Sequence, residues 1–213
     1  MTAATESSVA VVVIGGGLAG MAVAVALESA GVRVTLLEAR RFLGGRAGSF
    51  EDPQTGEQLD NCQHVLLGCC TNLIDFYHRI GAGKLIRFDR VIRFRDQNGR
   101  PHDLSGVNGL PAPLHLGPSL IRFNALTLAE RVSLSRAMLA MGQLDAAQRD
   151  ALADMPFGEW LDAHDQPDSL IRKFYDVLVI SGLNEQTRRV SAAYAIQLFK
   201  ESLLVNAAGY VVG

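Results

Sequence analysis

The sequence predicts an α/β fold that begins with a parallel β-sheet and continues into a partly helical second domain. Two apolar, β-branched runs, residues 9–14 and 32–37, have the length and composition of buried parallel strands, and the first is expected to be covered on both faces. A helix predicted over residues 18–30 joins them into a strand–helix–strand unit. Beyond a loop rich in proline and glycine at residues 106–118, the pattern becomes mainly helical. We therefore expect two domains, over residues 1–84 and 85–213.

Three glycines in the order G-x-G-x-x-G lie between the first strand and the helix. Gly15 would allow a tight turn, Gly17 would let the backbone approach a pyrophosphate, and Gly20 would let the helix pack closely on the strand. An anion at this place would meet the free backbone N–H groups at the positive end of the helix. Gly31 is expected to close the helix as a left-handed cap. The order of these elements predicts a Rossmann-like domain that binds FAD or NAD(P).

Glu38 ends the second strand, 18 residues after the last glycine of the motif. A carboxylate at this point is expected to accept hydrogen bonds from a ribose diol and to disfavour a 2′-phosphate. A glycine-rich turn of an ordinary α/β unit is the alternative interpretation, which the ordered succession of elements disfavours. NAD and FAD both fit up to this residue, because the adenosine half is common to them.

The segment after Glu38 distinguishes the two cofactors. Residues 41–46, R-F-L-G-G-R, resemble the R-x-x-G-G-R sequence that follows the second strand in the flavin amine oxidase and phytoene desaturase superfamily. The resemblance implies that Gly44 and Gly45 bring the backbone close to the diphosphate and flavin, and that Arg46 helps to hold this region. Glycine permits such an approach and arginine suits a phosphate. A solvated basic loop is the alternative, and the predicted cofactor is FAD.

A second resemblance covers residues 59–70, L-D-N-C-Q-H-V-L-L-G-C-C, and extends less distinctly over most of the chain. This stretch is similar to the hydroxysqualene dehydroxylases, flavoproteins of bacterial hopanoid synthesis that reductively remove a hydroxyl group to give squalene. The resemblance implies an FAD-dependent oxidoreductase with an isoprenoid lipid substrate and a helical substrate domain, incomplete here. The residues expected to hold FAD are Gly15, Gly17, Leu18, Ala19, Gly20, Glu38, Ala39, Gly44, Gly45 and Arg46.

The loop from Asp60 to Gly68 would approach the reactive ring of the flavin if this resemblance holds. His64 is the residue there that exchanges protons near neutral pH, and it is the candidate catalytic residue. A structural histidine, hydrogen-bonded beside Asp60, is the simpler interpretation.

Other functions stay open at this point. A carotenoid desaturase or isomerase shares the FAD motif and an extended apolar substrate. A nucleotide-binding module or an inactive fragment belongs to another class. Members of the resembled family are longer and return to the cofactor domain with a late Gly-Asp segment, so we expect this chain to be the N-terminal part of a longer enzyme.

Composition restricts the partners. The net charge is −2 and the isoelectric point is near 6.2, which disfavours nucleic acid as a partner. Three cysteines do not make a disulfide framework and lack zinc spacing, so no metal site is predicted. The first eight residues lack the features of a secretion signal, which predicts a cytoplasmic protein. Residues 118–123 and 131–141 mix arginine with large apolar side chains, which is compatible with peripheral contact at the inner face of the cell membrane.

The remaining elements follow from periodicity and turn residues. Thr127 and Glu130 form a plausible capping box for a long helix that ends near Leu144. Residues 85–103 are expected to be strands, including one near residues 85–88 and a turn at 96–99. The other expected elements are a hairpin of residues 47–50 and 57–60 and helices over residues 72–80, 156–161, 169–180 and 191–203.

Overall fold

The computed structural model of the chain describes residues 10–61 and 65–213. The chain divides into two compact units. Unit 1 comprises Met1–Leu66 and Cys70–Arg87, and unit 2 comprises Leu67–Cys69 and Phe88–Gly213. The described helices include none that is both long enough and apolar enough to cross a membrane.

Unit 1 begins with the predicted strand–helix–strand unit. Strand β1 (Ala10–Ile14) is followed by helix α1 (Leu18–Ser29) and strand β2 (Arg33–Leu37). The two strands pair in parallel, with Ala10 opposite Arg33 and Ile14 opposite Leu37. Gly31 ends the helix with a φ of 79°, so the predicted left-handed cap is confirmed. The α/β fold class predicted from the sequence is likewise confirmed.

The two faces of this parallel sheet differ. Val11 and Val13 of β1 are half-buried, and the side chain of Val13 points toward α1 at Gly20. Val12 and Ile14 lie on the other face and are exposed, Ile14 to 85%. The expectation that the first strand is covered on both faces is therefore wrong for the described residues. One helix covers one side of a sheet, and parallel sheets normally have both sides covered.

The rest of unit 1 is a hairpin and a helix. Strands β3 (Ser49–Glu51) and β4 (Gln58–Asp60) pair in antiparallel fashion, as predicted, and helix α2 (Thr71–Arg79) packs against α1. A 3₁₀ turn (Gly83–Leu85) follows. The strand expected near residues 85–88 is not found, because this segment has no pairing strand among the described residues and Leu85 is exposed.

Unit 2 contains an antiparallel hairpin. Strand β5 (Val91–Arg95) pairs with strand β6 (Pro101–Ser105). The predicted turn between them is confirmed, since the Asp96 carboxylate accepts hydrogen bonds from the backbone N–H groups of Asn98 and Arg100 at 2.8 and 2.9 Å. In this Asx turn the side chain of Asp96 takes the place of a backbone carbonyl as the hydrogen-bond acceptor.

Seven helices account for most of unit 2 among the described residues: α3 (Gly117–Arg122), α4 (Leu128–Gln143), α5 (Ala146–Asp150), α6 (Phe157–Ala163), α7 (Asp168–Leu170), α8 (Asp176–Leu183) and α9 (Ala192–Phe199). A π-helical turn (Ile171–Tyr175) joins α7 to α8, and another (Lys200–Leu204) extends α9. Large aromatic residues make much of the core, among them Phe123, Phe157, Phe174, Tyr175 and Phe199.

The predicted capping box at the start of α4 is confirmed. Thr127 accepts a hydrogen bond from the backbone N–H of Glu130, and the Glu130 carboxylate accepts one from the backbone N–H of Thr127. That carboxylate is buried and also accepts hydrogen bonds from Ser169 and Lys173. Burial opposes its ionisation, but the hydrogen bonds prevail and lower the pKa of Glu130 to about 2.

Candidate functional site

The glycine-rich turn between β1 and α1 lies at the carboxyl ends of the two parallel strands. Gly15 has a φ of 101°, which L side chains rarely adopt, and its backbone N–H donates to the carbonyl of Leu37 at 2.8 Å. The chain then turns into α1 at Gly17. In open α/β sheets this edge, beyond the carboxyl ends of the strands, is where ligands bind.

Gly20 is required for the approach of α1 to the turn. A Cβ atom built on Gly20 would lie 1.9 Å from the carbonyl oxygen of Gly15 and 3.5 Å from Cγ1 of Val13. No real side chain tolerates the first distance. The close packing predicted for the third glycine of the motif is therefore found.

Gly17 has the opposite environment. It is the N-cap of α1, with extended φ and ψ of −74° and 176°, and a Cβ atom built on it would meet no heavy atom within 4 Å. Gly17 offers no side chain to the first turn of the helix, and that turn contains no acidic residue. The positive end of α1 is therefore presented to open space, which suits an anionic group.

The second glycine pair lies directly beside this turn. Gly44 pairs with Gly17 as an isolated parallel bridge, and its backbone N–H donates to the carbonyl of Gly16 at 2.8 Å. Gly44 and Gly45 have φ values of 110° and 61°. A Cβ atom on Gly45 would lie 3.1 Å from Cα of Gly17, so the two glycine segments touch along their backbones.

Glu38 is held at the same place by two backbone groups. Its Oε1 accepts a hydrogen bond from the N–H of Arg40 at 2.8 Å, and its Oε2 accepts one from the N–H of Gly16 at 2.6 Å. These two hydrogen bonds lower the pKa of Glu38 below its ordinary value. The carboxylate is thus ionised near neutral pH and can accept further hydrogen bonds from hydroxyl groups.

Sequence reasoning missed Gly16. It occupies an unrestricted position of the G-x-G-x-x-G pattern, yet a Cβ atom there would lie 2.5 Å from Cδ2 of Leu43 and 3.1 Å from Oε2 of Glu38. Gly16 is buried and its N–H fixes the Glu38 carboxylate. The run of three consecutive glycines was the available signal, since the G-x-G-x-x-G motif requires glycine at only two of these three positions.

We expect Glu38→Gln to reduce stability at neutral pH, with a difference that disappears in acid. The pKa of Glu38 is lower in the folded chain than its ordinary value of 4.5, so its contribution is fully present above that value. It is lost as the pH falls through the lower, folded value.

Thermal unfolding of both proteins between about pH 3 and 7 measures this difference in stability. Glu28→Gln, on the exposed part of α1, is the matched control. A difference between wild type and Glu38→Gln that stays constant with pH would contradict the assignment.

The predicted cofactor residues that the structure brings together are those of the two glycine segments and Glu38. Leu18 and Ala19 form the first turn of α1, and Ala39 follows Glu38 directly. Arg46 is exposed one residue beyond the second glycine pair. Its role at the cofactor stays a prediction. His64 lies outside the described residues.

This arrangement fits the adenosine diphosphate part of a dinucleotide. It offers an uncapped helix N-terminus, backbone without side chains on two sides, and a fixed carboxylate at the end of the second strand. The helix N-terminus suits the pyrophosphate, the backbone without side chains leaves room for it, and the carboxylate suits the ribose diol.

Comparison with known sequences agrees with this geometry. The profile of the family described as flavin containing amine oxidoreductase matches residues 18–208. A zeta-carotene desaturase of Zea mays is 33% identical over 159 residues, covering 70% of this chain and 28% of its own length. A hydroxysqualene dehydroxylase of Zymomonas mobilis is 31% identical over 194 residues, covering 90% of this chain and 44% of its own length. The chain thus spans less than half of the length of these relatives.

Among solved structures, an oxidoreductase from Methanosarcina mazei superposes with a TM-score of 0.63 at 18% identity. The match covers 95% of this chain and 44% of that protein. At this identity the likeness concerns the fold.

Proposed function

The chain belongs to the family of flavin-containing amine oxidoreductases, and from this premise we propose that it is part of an FAD-dependent oxidoreductase that acts on an isoprenoid lipid. The family confirms the predicted FAD cofactor. The observation that carries the proposal is the open, uncapped N-terminus of α1 beside the fixed carboxylate of Glu38. Residues 1–84 would belong to the cofactor domain and residues 85–213 to the substrate domain.

The proposed reaction is the reductive dehydroxylation of hydroxysqualene to squalene. The similarity of residues 59–70 to hydroxysqualene dehydroxylases and the relative from Zymomonas mobilis support it. Desaturation of a carotenoid is the second candidate, and the relative from Zea mays supports it about equally. Both candidates imply an extended, apolar isoprenoid as substrate.

The residues of unit 1 have distinct roles in this proposal. The N–H groups of Leu18, Ala19 and Gly20 would bind the pyrophosphate, and Glu38 would accept hydrogen bonds from the adenosine ribose. FAD supplies hydride transfer when it is bound.

On the flavin side, the backbone of Gly44 and Gly45 would lie against the diphosphate, and Arg46 would neutralise part of its charge. An apolar substrate site excludes water, so that hydride is not lost to side reactions.

A protein acid would assist the departure of the hydroxyl group by donating a proton to its oxygen, which leaves as water. His64 is the candidate for this step. In a full-length enzyme, His64→Ala should slow turnover, whereas unchanged turnover would remove His64 from the mechanism.

We expect a full-length, FAD-loaded enzyme, reduced under anaerobic conditions, to convert hydroxysqualene to squalene. Chromatography and mass spectrometry of the extracted lipids measure the loss of the hydroxyl group. Parallel incubation of the oxidised protein with zeta-carotene tests the alternative, since a desaturase would add double bonds. Formation of a more unsaturated carotenoid, with hydroxysqualene unchanged, would contradict the dehydroxylase proposal. Turnover of neither substrate would favour a nucleotide-binding module or an inactive fragment.

We further propose that the protein works in the cytoplasm, in peripheral contact with the inner face of the cell membrane. The apolar nature of the proposed substrate supports this placement, because a squalene-like molecule partitions into lipid.

A further inference from the structure

Helix α4 carries apolar side chains on two opposite faces. Leu134, Ala137 and Met141 are buried in the core of unit 2. Leu128, Val132 and Leu139 lie on the opposite face and are 72%, 45% and 60% exposed. At 100° per residue these three positions fall close together on the helix surface. A helix that is apolar on both sides needs an apolar neighbour on both sides, and only one is present among the described residues.

The end of α3 extends this exposed face. Ile121 is 73% exposed, and the guanidinium group of Arg131 in α4 donates a hydrogen bond to its backbone carbonyl. This hydrogen bond ties the end of α3 to the first turns of α4. We call the surface of Ile121, Leu128, Val132, Arg136 and Leu139 the α4 face.

The exposed charges of residues 114–143, the segment that contains the α4 face, are of one sign. Residues 114–143 contain three arginines, at positions 122, 131 and 136, and a single carboxylate, that of Glu130. Glu130 is buried and its charge is compensated by Lys173. Arg136 is exposed one helical turn from Val132, and no described residue forms an ion pair with it. The exposed charge of this segment is therefore positive.

We propose that the α4 face docks on a bilayer that contains anionic lipids. Its large apolar side chains would enter the boundary between headgroups and acyl chains, and Arg136 would pair with the lipid phosphates. A protein partner could cover the apolar residues, but the absence of any exposed carboxylate in residues 114–143 favours an anionic surface. The biological purpose of this contact rests on the proposed function, since it would bring the protein to a substrate dissolved in the membrane.

Flotation of the purified chain with vesicles tests this directly. Vesicles of phosphatidylglycerol and phosphatidylcholine in equal parts should bind the chain, and vesicles of phosphatidylcholine alone should bind it more weakly. Leu128→Gln combined with Leu139→Gln should weaken the binding at least about tenfold, since two large apolar side chains are lost. Arg136→Glu should weaken binding to the anionic vesicles at least about fivefold and leave binding to neutral vesicles nearly unchanged.

Two matched controls keep the test specific. Val177→Gln combined with Ile180→Gln changes two exposed apolar residues of α8, and Arg172→Glu reverses an exposed arginine of the π-helical turn before it. Both should bind vesicles like the wild type. Circular dichroism of every variant verifies that it is folded.

The proposal is overturned if the folded chain binds no vesicles, or if the control variants lose as much binding as the α4-face variants. It is also overturned if sedimentation without lipid shows that the α4-face variants lose self-association instead, because the occupant would then be a second copy. None of these readouts requires flavin or turnover. Vesicle binding without product formation would therefore count against the proposed reaction alone.

Discussion

Replacement of Gly17 by valine is expected to weaken flavin binding strongly while leaving the chain folded. The backbone of Gly17 is extended, so any residue can adopt its conformation, and a Cβ atom there meets no heavy atom of the chain within 4 Å. The added side chain would instead fill the space in which the pyrophosphate must approach the N-terminus of α1. Overpacking by such a group costs about 1–3 kcal/mol, which raises the Kd for FAD by about fivefold to 150-fold.

Fluorescence titration of FAD measures this loss, with circular dichroism as the test of folding. Gly142→Val is a matched control, because Gly142 of α4 likewise has open space around its Cβ position. The control should bind FAD like the wild type. Wild-type affinity in Gly17→Val would remove the glycine turn from the cofactor site.

Gly20→Ala should have the contrary effect and damage the fold itself. Its Cβ atom would lie 1.9 Å from the carbonyl oxygen of Gly15, a backbone atom that cannot rotate away. Either α1 moves off the sheet or the turn opens, and we expect a loss of about 3 kcal/mol in the stability of unit 1. The smaller substitution is thus more harmful at position 20 than valine is at position 17.

Hydrogen exchange localises this damage. Amides of residues 10–37 should lose protection in Gly20→Ala, whereas those of α9 in unit 2 should change little. Gly142→Ala serves as the control for a glycine in open space and should not reduce protection in either region. Unchanged protection of α1 in Gly20→Ala would contradict the packing described here.

The sequence was sufficient to predict the strand–helix–strand unit, because its signals are local. These signals are the apolar, β-branched runs of the two strands, the glycines at 15, 17 and 20, and the cap at Gly31. Each of them acts over a few residues. The capping box of Thr127 and Glu130 was predictable for the same reason. The lysine that pairs with Glu130 lies 43 residues further along the chain, and no local pattern indicates it.

Other features depend on what packs against a segment. Residues 85–88 have the apolar composition of a strand, but a strand exists only where a partner pairs with it. The exposed face of β1 was not predictable, because a β-branched run has the same composition whether one or both faces are covered. The π-helical turn at 171–175 joins two helices and the one at 200–204 extends α9, and in neither segment does the apolar spacing of the sequence indicate the change of helix type.

At the candidate site, the sequence predicted which residues lie at the edge of the sheet but not how they are connected. The hydrogen bond from Gly16 to Glu38 and the bridge between Gly17 and Gly44 join segments separated by more than twenty residues. In both, the glycines contribute only backbone atoms, which leave no side-chain signal in the sequence. The choice between a hydroxysqualene and a carotenoid substrate depends on the shape of a pocket, and residue patterns do not encode that shape directly.

The most direct test of the central claim is a calorimetric titration of the folded chain with FAD and with ADP. The glycine turn, the N-terminus of α1 and Glu38 all lie within residues 10–61, so the chain contains the groups that would recognise the adenosine diphosphate half. We predict saturable binding of both ligands at one site, and retention of the visible flavin absorption after desalting. A chain that is folded by circular dichroism and binds neither FAD nor ADP would contradict the assignment of this site.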